Sequence, residues 1–271
     1  MTQNNRSALA EGRRQELVRI LRREGEVSTS EMAERFGVSE MTVRRYLHDL
    51  EEDGLAIRQY GGAVAARRVT FEFAFDERHR HNLEAKQRIG AEAAGRVEKD
   101  QTLFMDTGTT TLEVARALVR RNLTCRVVTS SLMIASALWG RPDIELMLLG
   151  GRVREGSPDL VGAGTEMMLE RLSADVAFLG SDGLDPERGS FAGDMEAARV
   201  AERMAQNARR VIIVADGTKL REAGGVRYAT IEMIDELITD DQNDADVLAA
   251  FADKNIVVST AQERTDIPNL D

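Results

Sequence analysis

The chain has 271 residues, 42% of them apolar, and a net charge of −10; that is long enough for two domains and apolar enough to exclude a disordered polymer. Its longest aliphatic runs, such as "VIIVA" at Val211–Ala215, are strand-sized, and the amino-terminal "MTQNNRSALAEGRR" has no apolar signal core, so a soluble cytoplasmic protein without a membrane span is expected. The single cysteine, Cys125, excludes a disulfide within the chain and reads as a buried strand thiol in "LTCRVVTSS".

Residues 1–70 hold 12 arginines, no lysine and 11 acids, which leaves −11 for the remainder. That local balance permits nucleic-acid binding by one face without demanding it. A first helix ends in "VRILRREG", with Leu17, Ile20 and Leu21 on its apolar face and Leu9 as a further candidate. In "VSTSEMAERFG", Ser28 and Glu31 have the spacing of a capping box, Met32, Ala33 and Phe36 supply an inner face, and Gly37 is placed to end the helix. Ser39 can cap a third helix, "EMTVRRYLHDLEEDG", whose Val43, Tyr46, Leu47 and Leu50 form one stripe opposite Met41, Thr42, Arg44, Arg45 and His48. Two short helices joined by a tight glycine turn, the second with arginines and hydroxyls on its outer amino-terminal half, describe a helix-turn-helix. "LAIRQYGGAV" then alternates Leu55, Ile57 and Gln59 before Gly61-Gly62, which suits a β wing carrying Arg58. The residues so placed against DNA are Ser39, Met41, Thr42, Arg44, Arg45, His48 and Arg58. An ordinary three-helix bundle with a solvated arginine face satisfies the same spacing, as does a winged helix that binds another protein.

The connector "ARRVTFEFAFDERHRHNLEA" follows, assigned to residues 65–85 between a first domain over 1–64 and a second over 86–260, with a polar tail at 261–271. Its His79 and His81 have no cysteine or acidic cluster at ligand spacing, so a solvated linker is expected and no metal or other cofactor. From Lys86 onward, helices alternate with the strands "TLFMD", "TCRVVTS", "IELMLLGG", "DVAFLG", "VIIVADG", "ELITD" and "NIVVS". The pattern predicts an α/β domain, a mostly parallel sheet covered by helices, with ligands at the carboxyl ends of its strands. Those ends offer Asp106-Thr107-Gly108-Thr109-Thr110, Thr129-Ser130-Ser131, Gly150-Gly151-Arg152, Gly180-Ser181-Asp182-Gly183 and Asp216-Gly217-Thr218-Lys219. In "LFMDTGTTTLEVARAL", a strand and a small hydroxyl-rich turn aim a helix amino terminus, with its unpaired N–H groups, at a ligand; an anion, most often a phosphate, fits there.

Both halves resemble one family. "VSEMTVRRYLHDLEEDGLAIRQYGGAV" is similar to the winged helix of the DeoR family of bacterial sugar-metabolism repressors, matching at Val38, Ser39, Thr42, Val43, Arg44, Arg45, Leu47, Leu50, Gly54, Arg58, Gly61, Gly62 and Ala63, and departing at Tyr46, where the family usually has aspartate. "DTGTTT", "TSSLMIA", "LLGG", "AFLGSDGLDPERGSF", "DGTK" and "IDELITD" resemble its sensor domain in family order, so that the resemblance runs from about Arg6 to Ser259. It implies a phosphosugar-isomerase-like fold that also forms the oligomer, with Asp106, Thr107, Gly108, Thr109, Thr110, Ser130, Asp182 and Lys219 around a phosphorylated effector. Ser130 stands where the family has asparagine, and "DGTK" where D-S-S-K is commoner, changes that would retune which sugar is accepted. Together with Ser131, Gly150, Gly151 and Gly183 from the strand ends, these form the expected effector set.

The rival class is a phosphosugar isomerase or deaminase with a regulatory head. In "GSDGLDPERGSFA", however, Leu184 occupies the place of the histidine that helps open the sugar ring in hexosamine-phosphate deaminases, and a leucine moves no proton. The expected protein has no catalytic residues. It is a transcriptional regulator, a dimer or tetramer that represses a carbohydrate or polyol operon by binding double-stranded operator DNA and responds to a phosphorylated sugar or polyol.

Overall fold

The computed structural model describes residues 3–65, 75, 77–154, 157–221, 224–241 and 245–262. Two compact units meet in sequence between Glu77 and Arg78. Residues 66–74 and 76 of the 65–85 connector and most of the 261–271 tail lie outside the described residues, as does the side chain of Leu9.

The first unit runs α1 (Gln3–Glu24), β1 (Glu26–Ser28), α2 (Thr29–Phe36), α3 (Glu40–Glu52), β2 (Ala56–Gln59) and β3 (Gly62–Ala65). The helical stripes converge as their period requires: Leu17, Ile20 and Leu21 pack with Met32, Ala33, Val43, Tyr46, Leu47 and Leu50. Gly37 ends α2 in the left-handed conformation, φ 61°, and Val38 N–H returns to Ala33 C=O. The capping box does not form. Ser28 pairs with Gly62 as the last residue of β1, its Oγ lies 2.9 Å from Ser30 Oγ, and Thr29 N–H donates to Gly61 C=O. Strand pairing thus sets the direction of Ser28 in place of the local cap. The wing is three-stranded, in the order β1-β3-β2, and its alternation is the reverse of that expected: Ala56 and Ala63 are buried while Ile57 is exposed. Gly62 is required by close approach, since a Cβ there would lie 1.9 Å from Val27 O.

In the second unit, β4 (Thr102–Met105), β5 (Cys125–Thr129), β6 (Ile144–Leu148), β9 (Ala174–Gly180), β12 (Ala208–Val214), β14 (Glu236–Asp240) and β15 (Val257–Ala261) form a parallel sheet in the order β15-β14-β12-β9-β4-β5-β6. The last strand reaches Ala261, beyond the expected boundary at 260. Among the described residues, the helices α4 (Leu83–Ala94), α5 (Thr109–Leu118), α6 (Leu132–Leu138), α7 (Ala163–Leu169), α8 (Met195–Gln206) and α9 (Ala245–Ala252) connect or flank these strands. Phe104, Ala177, Leu179, Ile213, Leu237 and Phe251 belong to the core they enclose, the near-continuous apolar runs of strands buried on both faces. Cys125 is a buried strand thiol whose pKa burial raises. Short antiparallel pieces escape the alternation: β7 (Arg152–Val153) with β8 (Leu160–Val161), and β10 (Gly183–Asp185) with β11 (Gly189–Ala192) and β13 (Val226–Ala229). Two to four residues are too few to show a period.

Where it is described, the connector is largely exposed, at Glu77, Arg78, Arg80, His81, Asn82 and Glu84, but His79 is held against the second unit. His79 is 15% exposed, with Nε2 2.7 Å from Oε1 of the buried Glu113, which also accepts from Arg116 Nη1 at 2.7 Å. No group of metal-ligating side chains occurs among the described residues, and no described helix is long and apolar enough to cross a membrane.

Candidate functional site

The chain lays down β4, β5 and β6 outward to one side, then returns to place β9, β12, β14 and β15 on the other. The reversal falls between β4 and β9, where the loops leaving adjacent parallel strands diverge and open a crevice at their carboxyl ends. Asp106, the residue after β4, spans it: Oδ1 accepts from Gly108 N–H at 2.9 Å and from the Thr111 hydroxyl, and Oδ2 accepts from Gly180 N–H at 2.6 Å, at the end of β9. Burial raises the Asp106 carboxyl above its ordinary range, while the bonds from Thr111, Gly108 and Gly180 oppose the shift. These bonds make Asp106 a brace between the turn and the end of β9. Gly108 is the N-cap of α5 and offers no side chain to cap it. A Cβ at Gly108 would lie 2.6 Å from Thr111 Oγ1. The first intrahelical bond runs from Leu112 N–H to Gly108 C=O, so the N–H groups of Thr109, Thr110 and Thr111 precede it.

These residues line a cavity of about 380 Å³, the size of a small-molecule site. Asp106, Thr107, Gly108, Thr109, Thr110, Asp182 and Lys219 all border it, the last from the 3₁₀ turn Gly217–Lys219, which Asp216 caps through Thr218 N–H. Five of the expected residues do not. Ser130 and Ser131 are buried beneath residues 158–161: Leu160 N–H donates to Ser130 C=O, Leu132 N–H to Pro158 C=O, and Ser131 pairs with Asp159 while its Oγ caps α6. Gly150 and Gly151 lie elsewhere as well: Gly150 accepts from Thr165 Oγ1 at 2.7 Å, and a Cβ on Gly151 would lie 2.2 Å from the same oxygen, so both lie against α7. Gly183 is a buried partner of Phe191 in the β10–β11 pairing.

The cavity also gathers residues that no strand-end motif marks. Arg78, His81 and Lys86 come from the chain before β4, and Arg154 from the segment after β7. Arg154 holds the buried Asp159 at 2.7 Å through Nη2 and at 2.9 Å through Nε, and pairs with Asp194, the N-cap of α8. Tyr228, from β13, donates from its hydroxyl to Gly180 C=O at 2.6 Å and lies 2.7 Å from Ser190 Oγ; burial pushes its phenol well above the usual range. The only signal in the sequence for the cations was their charge in otherwise unassigned segments. Leu184, 1% exposed, belongs to the core.

In the first unit, Ser39 caps α3, its Oγ accepting from Thr42 N–H at 3.3 Å. Ser39, Met41, Arg44, Arg45, His48 and Arg58 are exposed, and Thr42 is half-buried. Arg44 pairs with Glu40 at 2.9 Å, Arg58 with Glu51 at 3.7 Å, and the Arg45 guanidinium lies 5.9 Å from the Tyr46 ring centroid. Tyr46 is buried, as the stripe requires. Tyr60, at the turn of the wing, is fully exposed and was not singled out in the sequence, although an aromatic beside a Gly-Gly turn has no core to enter.

Residues 13–69 match the DeoR-like helix-turn-helix domain, and residues 81–241 match the DeoR C terminal sensor domain. The chain is 38% identical over 219 residues, 81% of its length and 85% of the relative's, to the HTH-type transcriptional regulator GlpR of Haloferax volcanii. It is 30% identical over 240 residues, 89% of this chain and 94% of the relative, to the glycerol-3-phosphate regulon repressor of Escherichia coli. The HTH-type transcriptional repressor CsqR of the same organism is 30% identical over 251 residues, 93% of this chain and 95% of that protein. These relatives are regulators, and this chain is a regulator rather than an enzyme. With both halves matched in order, the chain belongs to the DeoR family of DNA-binding transcriptional regulators.

Proposed function

We propose that the protein is a cytoplasmic repressor of a carbohydrate or polyol utilisation operon, a homodimer or homotetramer on double-stranded operator DNA, retuned by a phosphorylated sugar or polyol in the cavity between β4 and β9. The observation that carries the effector assignment is the meeting, in one cavity, of the uncapped start of α5 with Arg78, Lys86 and Lys219. Backbone N–H groups at a helix start and compensating cations are the chemistry of a phosphate site. One relative is named for glycerol-3-phosphate, which is of this ligand class. The exposed residues of α3 and the wing are the operator-facing set: Arg44, Arg45 and Arg58 for phosphates, and Ser39, Met41, Thr42 and His48 toward base edges. One such helix reads few base pairs, and paired half-sites supply the specificity that makes an oligomer the working form.

Calorimetric titration with glycerol 3-phosphate and sugar phosphates, each beside its unphosphorylated parent, tests the effector reading. The phosphorylated member of a pair should bind and its parent should not. Thr110→Ala and Lys219→Ala should each lower affinity at least about tenfold, the effect of one charge-assisted hydrogen bond, while operator binding persists. Equal affinity across wild type and both variants, with folding checked by melting temperature, would refute the assignment.

A further inference from the structure

Lys86, in the first turn of α4, is 5% exposed and yet borders the cavity. Its ammonium donates to the main-chain carbonyl of His81 at 2.6 Å and to that of Arg78. An ammonium has three donors, and these two carbonyls take two. The stretch they belong to is tied twice more to the elements that build the cavity. Asn82 Nδ2 donates to Asp216 Oδ1 at 3.3 Å, from a left-handed backbone with φ 53°. His79 Nε2 lies 2.7 Å from Oε1 of Glu113, one helical turn beyond Thr109 on α5.

We infer that Lys86 joins the effector's phosphate to the carbonyls of Arg78 and His81, so that filling the cavity fastens residues 78–82, the stretch through which the chain continues to the helix-turn-helix segment. The inference rests on the phosphate reading of the cavity and adds to it a positioning residue with a direction of action. The third donor meets an anion without either carbonyl bond being broken, so occupancy tightens the clasp. Burial works against the charge of Lys86, lowering its pKa, with Asp216 supporting the charge and Lys219 opposing it. A phosphate beside the ammonium favours the charged form, and charged donors make the stronger bonds.

Hydrogen–deuterium exchange on the full chain, read on peptides covering residues 77–86 with and without saturating inorganic phosphate, tests this. In the wild type, phosphate should slow exchange in this stretch at least about tenfold, the effect of one added charge-assisted bond on a local opening. Lys86→Met should exchange fast with or without phosphate. Lys219→Ala should need more phosphate and then reach the wild-type protection, because it binds the anion without holding the stretch. Phosphate that binds the wild type by calorimetry but leaves exchange in 77–86 unchanged or faster would overturn the clasp and leave the phosphate site standing, as would Lys86→Met protected like the wild type. Failure of phosphate to bind the wild type would overturn both. The wild-type measurement decides the sign by itself, whether or not a given variant folds.

Discussion

Replacing Asp106 by asparagine tests whether the carboxylate braces the crevice between β4 and β9. The carboxylate accepts three bonds: Gly108 N–H and the Thr111 hydroxyl at Oδ1, and Gly180 N–H at Oδ2. An amide of the same shape keeps one acceptor oxygen. If that oxygen serves Gly108 and Thr111, the NH2 group faces Gly180 N–H donor against donor, and losing that acceptor costs about 1–3 kcal/mol. Release of a buried charge, whose cost is visible in the raised pKa, offsets part of this, leaving about 1–2 kcal/mol and, for a domain of this size, a melting temperature lower by about 2–8 °C. Thr111→Val removes a single fully buried donor to the same oxygen and should cost a comparable amount. The Thr111 bond is stronger to a carboxylate than to the amide oxygen that keeps it, so Thr111→Val costs less in the Asp106→Asn background and the double variant should fall short of the summed single effects by at least about 0.5 kcal/mol. Calorimetric melting of the four proteins supplies the cycle. An Asp106→Asn protein as stable as the wild type, or strict additivity with Thr111→Val, would refute the brace.

The raised carboxyl also sets a pH dependence. The unfolded chain releases the Asp106 proton near the ordinary 3.8 and the folded chain only at higher pH, so between those two values the folded state holds more protons and stability falls as pH rises. Asp106→Asn should lack that component of decline, which a melting series over the acid range will show by difference. Arg44→Ala or Arg45→Ala should weaken operator binding and reduce the slope of log affinity against log salt by about 0.9 for each DNA phosphate no longer neutralised, with sensor melting unchanged; mobility-shift titrations at several salt concentrations measure both. Gly62→Ala forces a Cβ to within 1.9 Å of Val27 O, so β1 and β3 must separate; operator affinity should drop, and proteolysis should attack the first unit while the sensor stays resistant.

What the sequence determined by itself is the set of elements and the chemistry at their ends. Leu17, Ile20, Val43, Leu47 and Leu50 recur at the helical period and all entered one core; Gly37 and Ser39 terminate and start helices through bonds within their own turn; and the seven longer strands are apolar runs that need no distant partner to be recognised. The turn from Asp106 to Thr110 was legible for the same reason, its bonds to Gly108 and Thr111 being local. The tertiary structure decided which strand ends meet. Nothing near Asp106 announces that Gly180, 74 residues away, lies beside it, or that Arg78, Lys86, Arg154 and Tyr228 close the same cavity. It also removed Ser130 and Ser131 by laying residues 158–161 across them, and dissolved the Ser28 cap by pairing β1 with β3. Periodicity and capping are contests within one turn of chain, settled by the residues taking part. Strand order is a choice among pairings that satisfy the same backbone hydrogen bonds, and only the packing of the whole sheet with its helices separates them.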